Sequence, residues 1–114
     1  MLTIYHNPRC SKSRQTLALI EENNQEVNVV EYLKTPLDEA QITQLLALLK
    51  VTPIEMMRTK ESEFSALNLK GADDNALIAA MVSTPKLIER PIVTNNSNAI
   101  IGRPPENVLT LFKK

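Results

Sequence analysis

The chain has a single cysteine, Cys10, two glycines, no tryptophan and only 4% aromatic residues among its 114 positions. One cysteine cannot close an internal disulfide, so a stapled secreted scaffold is excluded and a reducing, cytoplasmic setting is expected. No apolar run reaches the ~18 residues of a membrane span and no signal-peptide pattern opens the sequence, so no membrane association is expected. An excess of charge is missing too, since 13 basic residues balance 13 acidic ones. A nucleic-acid partner, whose footprint is a strong basic excess, is therefore not expected. Repeats, low-complexity tracts and linkers are absent, which predicts one domain over residues 1–114. What the chain does have is 43% hydrophobic residues, enough for a small core, and seven prolines.

Local patterns give an element order. "LTIY" (Leu2 to Tyr5) is a short β-rich run stopped by "HNP", hence a strand. A helix follows from Ser11 to about Asn23, with Leu17 and Ile20 on one face. "EVNVVEYL" (Glu26 to Leu33) alternates and predicts a second strand. In "TPLDEAQITQLLALLK", Thr35 is the expected cap and Pro36 the first helical residue. Ile42, Leu45, Leu46 and Leu49 form that helix's apolar stripe. Short helices are expected in "TPIEMMR", "ESEFSALNL" and "DDNALIAAMV", the last capped by Asp73, with Met56, Met57 and Met81 in the core. "RPIVT" and "NAII" joined by "NNSN" predict a hairpin. "RPPENVLTLFK" closes with a short helix, and the final Lys113 and Lys114 are expected to be solvated. The order is β-α-β, a helical insertion over about residues 36–83, then β-β-α. A leading βαβ unit demands a parallel pair with a right-handed crossover. The expected fold is α/β, with a four-stranded mixed sheet flanked by helices and carrying an inserted helical region, the plan of the thioredoxin-like fold.

In that plan Cys10 falls between the end of the first strand and the start of the first helix, where open α/β sheets place their ligands. The free N–H groups and positive dipole of a helix start favour an anion, and a thiolate is one. Arg9, Lys12, Arg14 and, when protonated, His6 add positive charge nearby. Flanking "R-C-S-K-S" argues against burial, because Arg and Lys are almost never buried unpaired. Spacing removes several cysteine chemistries. Ser13 occupies the second position of a C-x-x-C dithiol, and Thr16 stands where a tyrosine-phosphatase loop needs arginine. One Cys and one His are too few for a structural metal, so no metal is expected. A Cys10–His6 hydrolase pair lacks any acyl-transfer motif. There remains a lone thiolate that can turn over only if an outside thiol completes its cycle.

Three arginines stand in apolar or proline-rich surroundings: Arg58 in "IEMMRTK", Arg90 in "LIERPIV" and Arg103 in "IIGRPPE". A planar guanidinium suits tetrahedral oxyanions, although each taken singly reads as a surface arginine. Arg90 and Arg103 flank the expected hairpin and can meet at one sheet edge.

"YHNPRCSKSR", "ERPIV" and "GRPPE" together resemble the ArsC-type arsenate reductases that use glutathione and glutaredoxin, in particular a compact, chromosomal-type branch. The likeness spans essentially the whole chain, with three separated motifs in order. It implies a thioredoxin-like fold and arsenate reduction to arsenite through a thiol–arsenate intermediate on Cys10. It implies that Arg58, Arg90 and Arg103 bind the oxyanion, and that His6, Ser13 and Arg14 surround and support the thiolate. It implies a cis-proline at Pro91. Glutathione would be a co-substrate, with no bound cofactor. Arsenate, glutathione and glutaredoxin would be the partners of a monomer. Two features depart from the family's resistance-operon members: Arg9 stands where a small residue is frequent, and "C-S-K-S-R" replaces a Gly-containing loop. Both bear on substrate preference. Two other functions compete. A glutathione-linked thiol oxidoreductase that does not act on arsenate would need Cys10 but not the arginines. An Spx-like regulator would bind RNA polymerase, but that redox switch uses C-x-x-C, which Ser13 breaks.

Overall fold

Short β-branched runs and capped helical stretches alternate along the chain. β1 (Leu2–Tyr5), α1 (Ser11–Glu22) and β2 (Val27–Val30) come first. α2 (Glu39–Leu49), a 3-10 turn at Pro53–Met56, α3 (Ser62–Ala66), α4 (Asp74–Ser83) and a 3-10 turn at Pro85–Leu87 follow. β3 (Ile92–Thr94), β4 (Ala99–Ile101) and a 3-10 segment at Pro105–Leu111 complete the order. This is a computed structural model, and it describes residues 2–112; the expectation for Lys113 and Lys114 lies outside the described residues.

The strands form one sheet in the order β2-β1-β3-β4. β1 runs parallel to β2, with Ile4 opposite Val29, and antiparallel to β3, with Ile4 opposite Val93. β3 and β4 are the expected hairpin, pairing Ile92 with Ile101. A mixed sheet assembled from a βαβ half and a ββα half is the thioredoxin-like arrangement. β2 is shorter than the expected Glu26–Leu33. The chain turns after Val30, where the N–H groups of Lys34 and Thr35 both donate to the Glu31 carbonyl at 2.9 Å.

Residues up to Thr35 and from Arg90 onward make one compact unit, and Pro36–Glu89 make a second. In the first, Leu2, Ile4, Ile20, Val93 and Val108 form the core, joining β1, α1, β3 and the closing 3-10 segment. Burying an aliphatic side chain of this size contributes roughly 1.5–3 kcal/mol. α1 buries Ser13, Thr16 and Ile20, while Leu17 is only partly buried against this core. The buried face is therefore polar at the end that carries Cys10 and apolar at the other.

In the second unit α2 buries Ile42, Leu45 and Leu46, and α4 buries Leu77, Ala80 and Met81. Leu49 is only half-buried. Asp38, and not Thr35, caps α2: its carboxylate accepts from Gln41 N–H at 2.8 Å while Gln41 Oε1 accepts from Asp38 N–H at 2.9 Å. This reciprocal box satisfies two end groups at once, and Pro36 lies before the helix. Asp73 caps α4 as expected, accepting from Ala76 N–H at 2.8 Å. The unit extends past the expected boundary at residue 83. Arg58 N–H donates to the Leu87 carbonyl and Glu89 N–H to the Met56 carbonyl, both at 2.7 Å, tying the segment before β3 to the chain after Met56. Among the described residues no helix is long and apolar enough to cross a membrane.

Candidate active site

The site grows from the loop between β1 and α1. His6 N–H donates to the Val30 carbonyl at 2.8 Å, so the loop leaves the sheet with its first residue still paired. Asn7 then makes an Asx turn: its Oδ1 accepts from Arg9 N–H at 3.0 Å and its carbonyl accepts from Cys10 N–H at 3.0 Å. Arg14, one turn into α1, reaches back and donates from Nη1 to the Pro8 carbonyl at 2.8 Å. Arg14 is thus an exposed clasp on the loop. The loop delivers Cys10 to the N-cap position, with extended backbone at φ −92° and ψ 122°.

Cys10 is buried, with 8% of its surface exposed, which corrects the expectation drawn from its charged neighbours. Arg9 and Lys12 are exposed while the N-cap side chain between them turns inward, so flanking charge does not carry Cys10 into water. Burial alone pushes the thiol up. The backbone N–H of Ser13, the Arg90 guanidinium (by hydrogen bond and by charge) and the backbone N–H of Lys12 act oppositely and prevail, leaving Cys10 below the ordinary thiol value. The two amides act as dipoles near the sulfur and complete no cap hydrogen bond by geometry.

Arg90 and Arg103 are both brought to this thiol. Arg103 donates from Nη2 to Cys10 Sγ at 3.6 Å and from Nε to the Arg90 carbonyl at 2.9 Å. One side chain therefore touches the Cys10 sulfur and links the two arginine-bearing loops. Arg90 Nε is buried and has no hydrogen-bond partner among the described residues, so this guanidinium holds spare donor capacity. The Arg90–Pro91 bond is cis, as the resemblance implied, and Arg103–Pro104 is a second cis bond that the sequence did not announce.

His6 and Ser13 lie together beside this loop. His6 Nδ1 is 2.6 Å from Ser13 Oγ, which also accepts from Asn7 N–H at 3.1 Å. Burial lowers the His6 pKa, with Glu31 raising it and Arg14 lowering it further. His6 is therefore neutral at neutral pH, and hydrogen bonding, not the added charge first expected, is what it offers. Arg58 belongs to the second unit, where its guanidinium pairs with Glu61 and, through Nε, with Glu89 at 3.8 Å. Among the described residues no three His, Cys, Asp or Glu side chains gather as a metal-binding group.

Sequence patterns missed two contributors. Gly102 and Thr16 sit together behind the arginine loops, and the Gly before Arg103 in "GRPP" is the only local signal of it.

A thioredoxin-like sheet sets one buried thiol at a helix N-terminus with guanidinium groups beside it, which is the layout of a single-cysteine thioredoxin-like protein. The ArsC family model matches residues 5–111 of this chain, which belongs to the ArsC family. The chain is 54% identical over 111 residues to the Escherichia coli (strain K12) uncharacterized protein YfgD, covering 95% of this chain and 93% of that one. It is 42% identical over 110 residues to an arsenate reductase of Neisseria meningitidis serogroup A, covering 94% of each. The solved structure of an arsenate reductase from Vibrio cholerae superposes with a TM-score of 0.94 at 46% identity, covering 97% of each chain.

Proposed function

We propose that this chain reduces arsenate to arsenite, with Cys10 as nucleophile, glutathione as electron donor and glutaredoxin as the partner that restores the thiol. The observation that carries this is the approach of Arg90 and Arg103 to a buried Cys10 held below the ordinary thiol value. Arsenate is a tetrahedral oxyanion, and guanidinium forks together with a helix N-terminus suit such a ligand. The relatives from Neisseria meningitidis and Vibrio cholerae that carry the name arsenate reductase support the choice of oxyanion.

The Cys10 thiolate attacks arsenic, an arsenic–oxygen bond breaks with its oxygen leaving as water after protonation, and a sulfur–As(V) bond forms. A glutathione thiolate then attacks the Cys10 sulfur. The sulfur–arsenic bond breaks with its electron pair remaining on arsenic, which becomes As(III), and a Cys10–glutathione disulfide is left. A glutaredoxin thiolate attacks the glutathione sulfur and returns Cys10 as thiolate. Arg90 and Arg103 stabilise negative charge on the arsenate oxygens throughout. Arg58 joins them on the strength of its sequence motif. His6 and Ser13 fix the loop that presents Cys10, and Arg14 clasps it from outside. The cycle needs one copy of the chain and a reducing compartment such as the cytoplasm.

A coupled assay that follows NADPH oxidation through glutathione and glutaredoxin tests this. Arsenate-dependent turnover is expected, and Cys10→Ser should abolish it, because a serine hydroxyl is far less ionised and has no thiol–disulfide step. Turnover that persists in Cys10→Ser, or a wild-type protein indifferent to arsenate, overturns the proposal.

A further inference from the structure

Gly102 follows β4 and is buried, and its N–H donates to the Pro91 carbonyl at 2.9 Å. A Cβ at this position would stand 2.6 Å from Thr16 Oγ1, 2.8 Å from Pro91 Cγ and 3.2 Å from Thr16 Cγ2. Carbon pairs rest at about 3.5–4.0 Å, so any side chain here must displace a neighbour. The backbone of Gly102 is not in the left-handed region, and space is what demands glycine. Neither neighbour yields freely. Thr16 is fully buried, and its hydroxyl donates to the Lys12 carbonyl at 2.8 Å, which fixes its rotamer in the first turns of α1. Pro91 is a closed ring directly after Arg90, and its carbonyl holds the Gly102 N–H. The displacement therefore falls on Arg90–Pro91 and Gly102–Arg103, the two segments that carry guanidiniums to Cys10. Contacts of 2.6 and 2.8 Å lie well inside the 3.4–4 Å of ordinary contact, so the shift needed is large enough to move Arg103 off Cys10, which it meets at 3.6 Å.

We infer that Gly102 is a positioning residue for Cys10: its missing side chain lets the Arg103 loop close both on Thr16 of the helix that Cys10 caps and on Pro91 of the Arg90 loop, and this seat sets Arg90 and Arg103 at the sulfur. The inference rests on Cys10 as the reactive thiol of the proposed reaction, but it is read from the thiol itself and needs no arsenate.

The test is the pH dependence of Cys10 alkylation by iodoacetamide in the full chain, alongside thermal unfolding to establish that each variant is folded. Gly102→Ala should raise the alkylation midpoint by about one pH unit, which is about a tenfold lower thiolate fraction below the midpoint. Adding Thr16→Ala removes the 2.6 and 3.2 Å contacts, though not the one to Pro91, and should return the midpoint part of the way to the wild-type value. A folded Gly102→Ala protein with an unmoved midpoint overturns the inference, as does a raised midpoint that Thr16→Ala leaves unrelieved. Should Gly102→Ala fail to fold, Thr16→Val carries the test. It replaces Oγ1 with a bulkier methyl against Gly102, so a smaller rise supports the inference and an unchanged midpoint overturns it. A general loss of stability would lower the melting temperature without moving the midpoint. A wild-type chain without arsenate turnover, in which the variants still shift the midpoint as expected, would count against the proposed reaction and leave this inference standing.

Discussion

His6 Nδ1 lies 2.6 Å from Ser13 Oγ, and both side chains are buried where β1 gives way to α1. Ser13 Oγ also accepts from Asn7 N–H, so its own proton is available to a neutral imidazole. Protonating His6 would reverse that bond and place a charge in a site from which water is largely excluded. Burial, the largest influence on His6, favours the neutral ring for this reason.

The first prediction is an acid sensitivity that belongs to His6. Its folded pKa lies below the ordinary imidazole value of 6.5. Below 6.5 the unfolded chain binds a proton that the folded chain still refuses, so stability falls as pH drops toward the folded pKa and the full penalty applies beneath it. Urea midpoints measured between about pH 7 and about pH 5 should decline more steeply in the wild type than in His6→Gln. Equal slopes would show that His6 titrates alike in both states.

The second prediction separates the two arginines that face Cys10. Arg90 favours the thiolate through both hydrogen bond and charge, whereas Arg103 touches the sulfur at 3.6 Å and ties down the Arg90 carbonyl. Arg90→Ala and Arg103→Ala should both raise the Cys10 alkylation midpoint, Arg90→Ala the more. Each should also lower arsenate turnover by about 10²–10³, the usual loss for one well-placed charge-stabilising donor. A glutathione-linked oxidoreductase has no use for this pair. Arsenate turnover that survives both substitutions would remove the oxyanion role.

Arg58 is the third arginine, and its surroundings are acidic. Glu61 and Glu89 pair with it, while Lys86 Nζ lies 3.6 Å from Glu61 and 3.5 Å from Glu63. If Arg58 serves the oxyanion, Arg58→Ala should raise the KM for arsenate and leave the alkylation midpoint of Cys10 at the wild-type value, since Arg58 is not among the groups that set that thiol. A shifted midpoint with an unchanged KM would reverse the assignment.

The sequence made legible what neighbouring residues decide among themselves. β1 runs over Leu2–Tyr5 because four β-favouring residues meet "HNP", and Asp73 caps α4 because its acceptor lies one turn from the N–H it needs. The hairpin was visible in its Asn-rich turn, where Asn96 takes a φ of 75°. Long-range geometry was not legible in this way. Residues 16, 91 and 102 are distant in the chain, so no local pattern shows that Gly102 must lack a side chain. Burial of Cys10 is hidden from the sequence because neighbours of an N-cap point in different directions, and charge on Arg9 and Lys12 says little about the side chain between them. The start of α2 is ambiguous in sequence for another reason. "TPLDEAQ" contains two start signals, and composition alone does not rank them.

Geometry ranks them, and stability can check the ranking. Asp38 accepts from Gln41 N–H and receives a reciprocal bond in return, whereas Thr35 N–H closes a turn on Glu31 and caps nothing. Asp38→Ala removes the acceptor and a negative charge at the positive end of α2, and should cost about 1 kcal/mol. Thr35→Ala should change stability by less than about 0.5 kcal/mol, the range of surface substitutions that break no special feature. Urea unfolding of the two variants would decide it. A larger loss in Thr35→Ala than in Asp38→Ala would mean that the helix starts where the proline suggests, and that the capping box at Asp38 is only an incidental contact on an exposed turn.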